Sequence, residues 1–159
     1  MKRLICLLMA LAMVCTLAAC GETKERKYTF YYLRSPSTIQ YGRPDGLVAP
    51  VDRDLSASNL SLEDLLRLYL AGPANEAYVS PIPKNTHLLT TISRDDELMI
   101  VLSREFSTLD GVDLTLAGAC LSATCHSLTG MDRIQVRSGE GIYHFDYHSY
   151  VFLDDSAGN

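Results

Sequence analysis

The sequence predicts an α+β domain, a small mixed or antiparallel sheet with two helices packed on one face. Two segments, residues 61–72 and 112–128, space their apolar side chains as helices do. Five others, at 27–33, 47–53, 88–94, 97–103 and 133–137, are short, rich in strand-forming residues and bounded by turn residues. The resulting order of strand, strand, helix, hairpin, helix, strand and tail suits a sandwich in which helices cover one face of a sheet.

The first strand is Lys27-Tyr28-Thr29-Phe30-Tyr31-Tyr32-Leu33, broken by Ser35-Pro36-Ser37. Arg43-Pro44-Asp45-Gly46 is a turn. A second strand runs from Leu47 to Arg53, with Leu47, Ala49 and Val51 on one side. Pro50 assigns it to an edge, because proline cannot donate to a hydrogen-bonded ladder. The first helix has Ser61 as its N-cap and Glu63 and Asp64 in its first turn, where the positive end of the helix dipole favours carboxylates. Leu62, Leu65, Leu66 and Tyr69 form one apolar face at i, i+3, i+4 and i+7. Gly72 and Pro73 stop it, and Pro81 and Pro83 mark the loop that follows.

Leu88 to Arg94 and Glu97 to Ser103 form a hairpin that turns at Asp95-Asp96. Its second strand contains Leu98-Met99-Ile100-Val101-Leu102, apolar on both faces, and is expected to be central and covered on both sides. Asp110 caps a second helix from Val112 to Leu128, in which Leu114, Ala117, Leu121, Cys125 and Leu128 make a narrow apolar stripe. Gly130 ends it. The strand from Arg133 to Arg137 turns Ile134 and Val136 inward and Gln135 outward. After Gly139-Glu140-Gly141 the tail alternates Tyr143, Phe145 and Tyr147 against His144, Asp146 and His148, as an extra strand would. The end, from Asp154 to Asn159, is read as frayed.

The N-terminus carries an address. Lys2 and Arg3 precede an apolar run from Leu4 to Ala19, 16 residues long, that closes on Leu17-Ala18-Ala19-Cys20-Gly21. A basic start, a short apolar core and small residues before a cut are the marks of a secretory signal. A membrane-spanning helix needs about 20 residues, so the run is short for one. A cysteine directly after the small residues is the bacterial lipoprotein pattern, with Cys20 as the lipid attachment residue and the first residue of the mature chain. Two or more acyl chains hold a protein stably to a bilayer. The expected location is the extracytoplasmic face of a bacterial cell membrane, with residues 1–19 as signal peptide and 20–27 as a lipidated tether.

Loss of Lys2 and Arg3 takes the net charge from −5 to −7. An acidic exported domain is a poor match for nucleic acid or for anionic lipid. The expected partners are the membrane, through the lipid, and envelope proteins, in a homo- or hetero-oligomer. Of five cysteines, Cys120 and Cys125 remain after the signal and Cys20. Five residues apart on one helix, their Cα atoms stand about 8–9 Å apart, beyond the ~7 Å reach of a disulfide.

No catalytic constellation stands out, and no metal or cofactor is expected. Cys120-Leu121-Ser122-Ala123-Thr124-Cys125-His126 has four residues between its cysteines where haem attachment uses two. His144, Asp146 and His148 would share one strand face and have the chemistry to hold zinc, but an outer polar face opposite Tyr143, Phe145 and Tyr147 needs no metal. There is no Gly-x-Ser-x-Gly elbow. Glu105 and Asp110 before the second helix are read as caps and solvating acids. Nine tyrosines and no tryptophan suggest amphipathic contact surface, with Tyr28, Tyr31, Tyr32, Tyr150 and Phe152 as the candidate interaction residues.

Taken in order, Tyr31-Tyr32-Leu33, the paired segment from Leu47 to Asp54, the helix ending Leu70-Ala71-Gly72-Pro73, the loop Ser80-Pro81-Ile82-Pro83-Lys84-Asn85-Thr86, and Ala123-Thr124-Cys125 through Gly130, Ile134 and Val136 resemble the GerMN domain of sporulation and spore-germination lipoproteins. The resemblance covers residues 28–141 and leaves 142–159 as a C-terminal extension. Asn85 stands where the family often has Gly, and Cys125 where it often has Leu. The resemblance implies a fold similar to ring-building motifs and a membrane-anchored, non-catalytic interaction module of sporulation or germination assemblies. Many members carry two such domains; this length has room for one. The alternative is an exported ligand-binding lipoprotein for a small molecule or cell-wall fragment, which an apolar pocket with converging polar groups would favour.

Overall fold

The computed structural model of the protein describes residues 25–38, 46–56 and 60–150. Cys20 and Phe152 lie outside them. Strand β1 (Arg26–Arg34) pairs antiparallel with β2 (Val48–Leu55) and, at its end, with the two-residue β3 (Tyr78–Val79). A second sheet has the order β4-β5-β6-β7, formed by Leu88–Arg94, Glu97–Leu102, Arg133–Ser138 and Gly141–Asp146. Its pair β5·β6 is parallel and the other two are antiparallel. Helix α1 is Leu62–Leu70 and α2 is Gly111–Thr129. Short 3-10 turns occupy Arg104–Thr108 and Tyr147–Ser149.

The α+β class holds, but the strands divide into two sheets where one was expected. The reason lies between α1 and β4. Pro73, Pro81 and Pro83 remove backbone donors there, so the segment contributes only the short β3 to β1. Helix α2 fills the space between the sheets, packing against β1 and β2 on one side and against β6 and β7 on the other. It is therefore buried all round from Ala117 to Cys125, not along a narrow stripe. Ala117, Gly118, Ala119 and Ala123 are small enough to let both sheets approach.

Helix α1 forms for local reasons. The Ser61 hydroxyl accepts from the Asp64 N–H (3.2 Å) while the Asp64 carboxylate accepts from the Ser61 N–H (3.1 Å), a reciprocal capping box. Leu65, Leu66 and Tyr69 turn into the core. Past the C-cap Ala71, Gly72 takes φ +92°, which a side chain would strain, and its carbonyl accepts from Arg53 at 2.6 Å. Ser61→Ala is expected to cost about 1 kcal/mol, read as a lower urea midpoint with an unchanged slope. No change in the midpoint would mean that packing alone holds the helix.

Two edges show how the sheets are closed. The Tyr31 N–H donates to Thr124 Oγ1 of α2 at 2.9 Å, on the side of β1 away from β2. Tyr31 faces Pro50 in the ladder, so the missing N–H of Pro50 also falls off the pairing line, on the edge strand where proline belongs. On the other sheet, Glu63 of α1 accepts from the Thr91 N–H at 3.2 Å and so occupies the edge of β4. Strand β5 is central, yet only Leu98, Ile100 and Leu102 are buried. Met99 and Val101 stay partly exposed, so the expected cover on both sides is absent among the described residues.

Candidate functional site

The candidate interaction tyrosines do not meet on one surface. Tyr32 is fully buried and stacks on Tyr69, with ring centroids 5.1 Å apart. It is a core residue and not part of a contact surface, because the even-numbered positions of β1 face inward with Phe30. Tyr28 packs partly against the same core. Tyr31, with the opposite strand parity, is half-buried. Tyr150 lies on the far side of α2, with its hydroxyl against Gly118, and burial raises its phenol above the ordinary value.

The thiols are buried and free. Burial pushes both Cys120 and Cys125 well above the ordinary thiol range, which disfavours the thiolate that nucleophilic or metal chemistry needs. Alkylation at neutral pH is therefore expected to spare Cys120 and Cys125 in the folded protein and to label both in urea, as peptide mapping would show. Labelling of either without denaturant would place it in an open site.

The histidines are arranged differently from the sequence reading. The tail is a strand only to Asp146, and the 3-10 turn from Tyr147 takes His148 off the face of His144. The Asp146 carboxylate accepts from the His148 N–H at 2.8 Å, closing that turn. His148 Nε2 then lies 3.2 Å from one oxygen of Asp132, and His126 Nδ1 lies 2.8 Å from the other. The His126 approach is close but lacks hydrogen-bond alignment, leaving both atoms buried without a hydrogen bond. The Tyr147 ring stacks on His126 at 4.1 Å, nearly parallel. His126 occupies the last turn of α2, and the Gly130 turn brings Asp132 back beside it. No run of sequence announces this group, since its members sit on three separate elements. Among the described residues no group of three or more His, Cys, Asp or Glu is arranged to hold a metal ion.

Glu105 and Asp110 head two different helical segments. Glu105 lies in the first turn of the 3-10 segment, where hydrogen bonding from Ser103 holds its carboxyl below the ordinary value. Asp110 is the N-cap of α2 but makes no side-chain capping bond. A cleft of about 620 Å3 is open and runs between the end of α1 and the loop before β4, past Arg67, Leu70, Lys84, Asn85, Thr86 and His87. A cleft of about 390 Å3 beside Asp132 and His148 is also lined by Asp95, Asp96 and Arg133. Both are open clefts and not enclosed pockets; the walls of the first are mainly apolar and those of the second are mixed.

Known folds agree with this architecture. The first GerMN domain of the sporulation protein GerM from Bacillus subtilis superposes with a TM-score of 0.55 at 18% identity, over 72% of this chain and 83% of that one. The tandem GerMN domains of the same protein superpose with a TM-score of 0.56 at 12% identity, over 74% of this chain. The present chain spans 40% of the length of that tandem structure. No curated protein matches the sequence. The profile of the Germane family, described as sporulation and spore germination, matches residues 29–140, from β1 to the turn before β7. The chain thus belongs to the Germane family of sporulation and spore germination.

Proposed function

We propose that this protein is a lipid-anchored, non-catalytic interaction module of the bacterial envelope. It is held at the extracytoplasmic face through Cys20, and it docks to envelope proteins of a sporulation or germination assembly. The observation that carries the reading is the juxtaposition of a Germane domain at residues 29–140 with the run Leu17-Ala18-Ala19-Cys20-Gly21 directly before it. The arrangement of the side chains with reactive potential supports it: the thiols are buried inside α2, His126 and His148 approach Asp132, and Glu105 and Asp110 lie at helical starts. The openness of both clefts supports docking over capture of a small molecule, which an enclosed pocket would favour.

Cys20→Ala tests the anchor. The variant is expected to move from the membrane to the soluble fraction of the host while keeping the circular dichroism and urea midpoint of the unsubstituted protein. The residue precedes every element among the described residues, so their folding should not depend on it. Host activity that survives release from the membrane would overturn the tethering half of the reading. Affinity capture from sporulating and growing membranes tests the other half, and recovery of no partner in either state would remove it.

A further inference from the structure

The unfinished face of β5 points to where a partner binds. Strand β5 is composed like a strand buried on both sides, yet the fold covers only the side carrying Leu98, Ile100 and Leu102. The register places the other side chains on one outer face. Ile92 stands opposite Met99, and Thr90 opposite Val101. On the far side, Met99 aligns with Gln135 and Val101 with Arg137, which faces Ile142. Ile92 and Ile142 are 40% and 52% exposed. Among the described residues no helix lies on this face, although a helix is what covers a sheet face in folds of this class.

We propose that this outer face of the second sheet docks an acidic amphipathic helix of a partner protein. The proposal rests on the interaction-module reading and names its surface. Charge decides the character of the partner. The acids on the face are already engaged: Glu97 lies 3.7 Å from His144 Nδ1, and Asp146 caps the 3-10 turn. Arg133 pairs with Asp96. Arg137, exposed on the inner strand β6 in the row of Val101 and Ile142, makes no ion pair among the described residues, and neither does Arg94 at the rim. A chain of net charge −5 thus presents its uncovered apolar strip beside unpaired guanidinium groups.

Size decides its shape. Four strands about 4.8 Å apart and six residues rising about 3.3 Å each give a face of about 400 Å2. That is half of the about 800 Å2 per partner in a stable protein complex, too little for a second copy stacked face to face. It matches one helix of about 13 residues, about 20 Å long, lying along β4 and β5 with its acidic flank towards Arg137. An added strand would pair at an edge, either β4, which Glu63 already occupies, or β7, and would leave the apolar strip on the face uncovered.

The test uses the whole chain and a defined probe: a synthetic helix of about 18 residues, apolar at helical spacing, with glutamates along both flanks. Its twin carries lysines in their place. Binding is followed by fluorescence anisotropy, and the bound surface by amide chemical shifts. The acidic helix is expected to bind and to shift residues 92, 99, 101 and 142. Ile142→Glu and Arg137→Glu, both exposed positions, should each weaken it at least about tenfold, or about 1.4 kcal/mol, while Val112→Glu on α2 leaves it unchanged. Equal binding of the lysine twin, indifference to Ile142→Glu, or self-association in sedimentation that Ile142→Glu abolishes would each overturn the proposal. Such a failure leaves the wider reading standing, because capture of partners and the Cys20→Ala release do not pass through this face.

Discussion

Tyr69→Ala is expected to destabilise the domain by about 3–5 kcal/mol, a large part of the about 5–15 kcal/mol available to a domain of this kind. Tyr69 ends the apolar face of α1 and is fully buried. Its ring stacks on Tyr32 at 5.1 Å and on Phe30 at 6.3 Å, and such pairs add about 0.5–1.5 kcal/mol beyond the area they bury. The Tyr32 hydroxyl also donates to the Tyr69 carbonyl at 3.0 Å, so α1 is fastened to the first sheet by ring and backbone together. Alanine would leave a cavity where the helix, β1 and α2 meet. The control is Tyr69→Phe. The phenol oxygen is buried near Thr124 without a well-aligned hydrogen bond, so its removal should cost less than about 1 kcal/mol. Urea unfolding of both variants separates the terms: if alanine cost no more than phenylalanine, the aromatic stack would not be what holds α1.

What could be read from the sequence was local. Ser61, Asp64 and Gly72 bound α1 through contacts within a few residues of one another, and the hairpin at Asp95-Asp96 needs only its two adjoining strands. Gly130, in the left-handed region at φ +74°, ends α2 where it was expected to. What could not be read depended on partners distant in the chain. Tyr31 and Tyr32 look alike in sequence, and only strand parity against α1 and α2 makes Tyr32 core. The burial of α2 on every side was hidden because Ala117, Gly118, Ala119 and Ser122 give weak apolar signals, although both sheets press on them. The pairing of His126 and His148 through Asp132 required the Gly130 turn and the turn after β7 to form first. The double-sided apolar pattern of β5 was legible, and it conflicts with the isolated fold. Such a conflict is expected where a surface is written for something outside the chain.

Gly118→Val is expected to cost at least about 3 kcal/mol, the upper end of the overpacking range. Gly118 is helical, so no unusual backbone conformation demands glycine there. Space demands it. A Cβ would lie 2.4 Å from Phe145 Cε1, 2.5 Å from its Cδ1 and 2.7 Å from the Tyr150 hydroxyl. Alanine offsets part of this clash, because Gly to Ala in a helix interior gains about 1 kcal/mol of propensity; Gly118→Ala should therefore fall between neutral and a loss of about 2 kcal/mol. Valine adds two methyl groups in the same space and returns part of that propensity gain. The damage should be local first. β7 and the turn carrying Tyr147 close over α2 through Phe145 and Tyr150, so limited proteolysis of Gly118→Val should cut at residues 141–150 before the rest of the domain yields. Phe145→Ala in the same chain removes the obstruction, and the pair should couple favourably by about 0.5–3 kcal/mol. Strictly additive costs would mean that the strand beyond the family match rests on the domain without depending on its central helix.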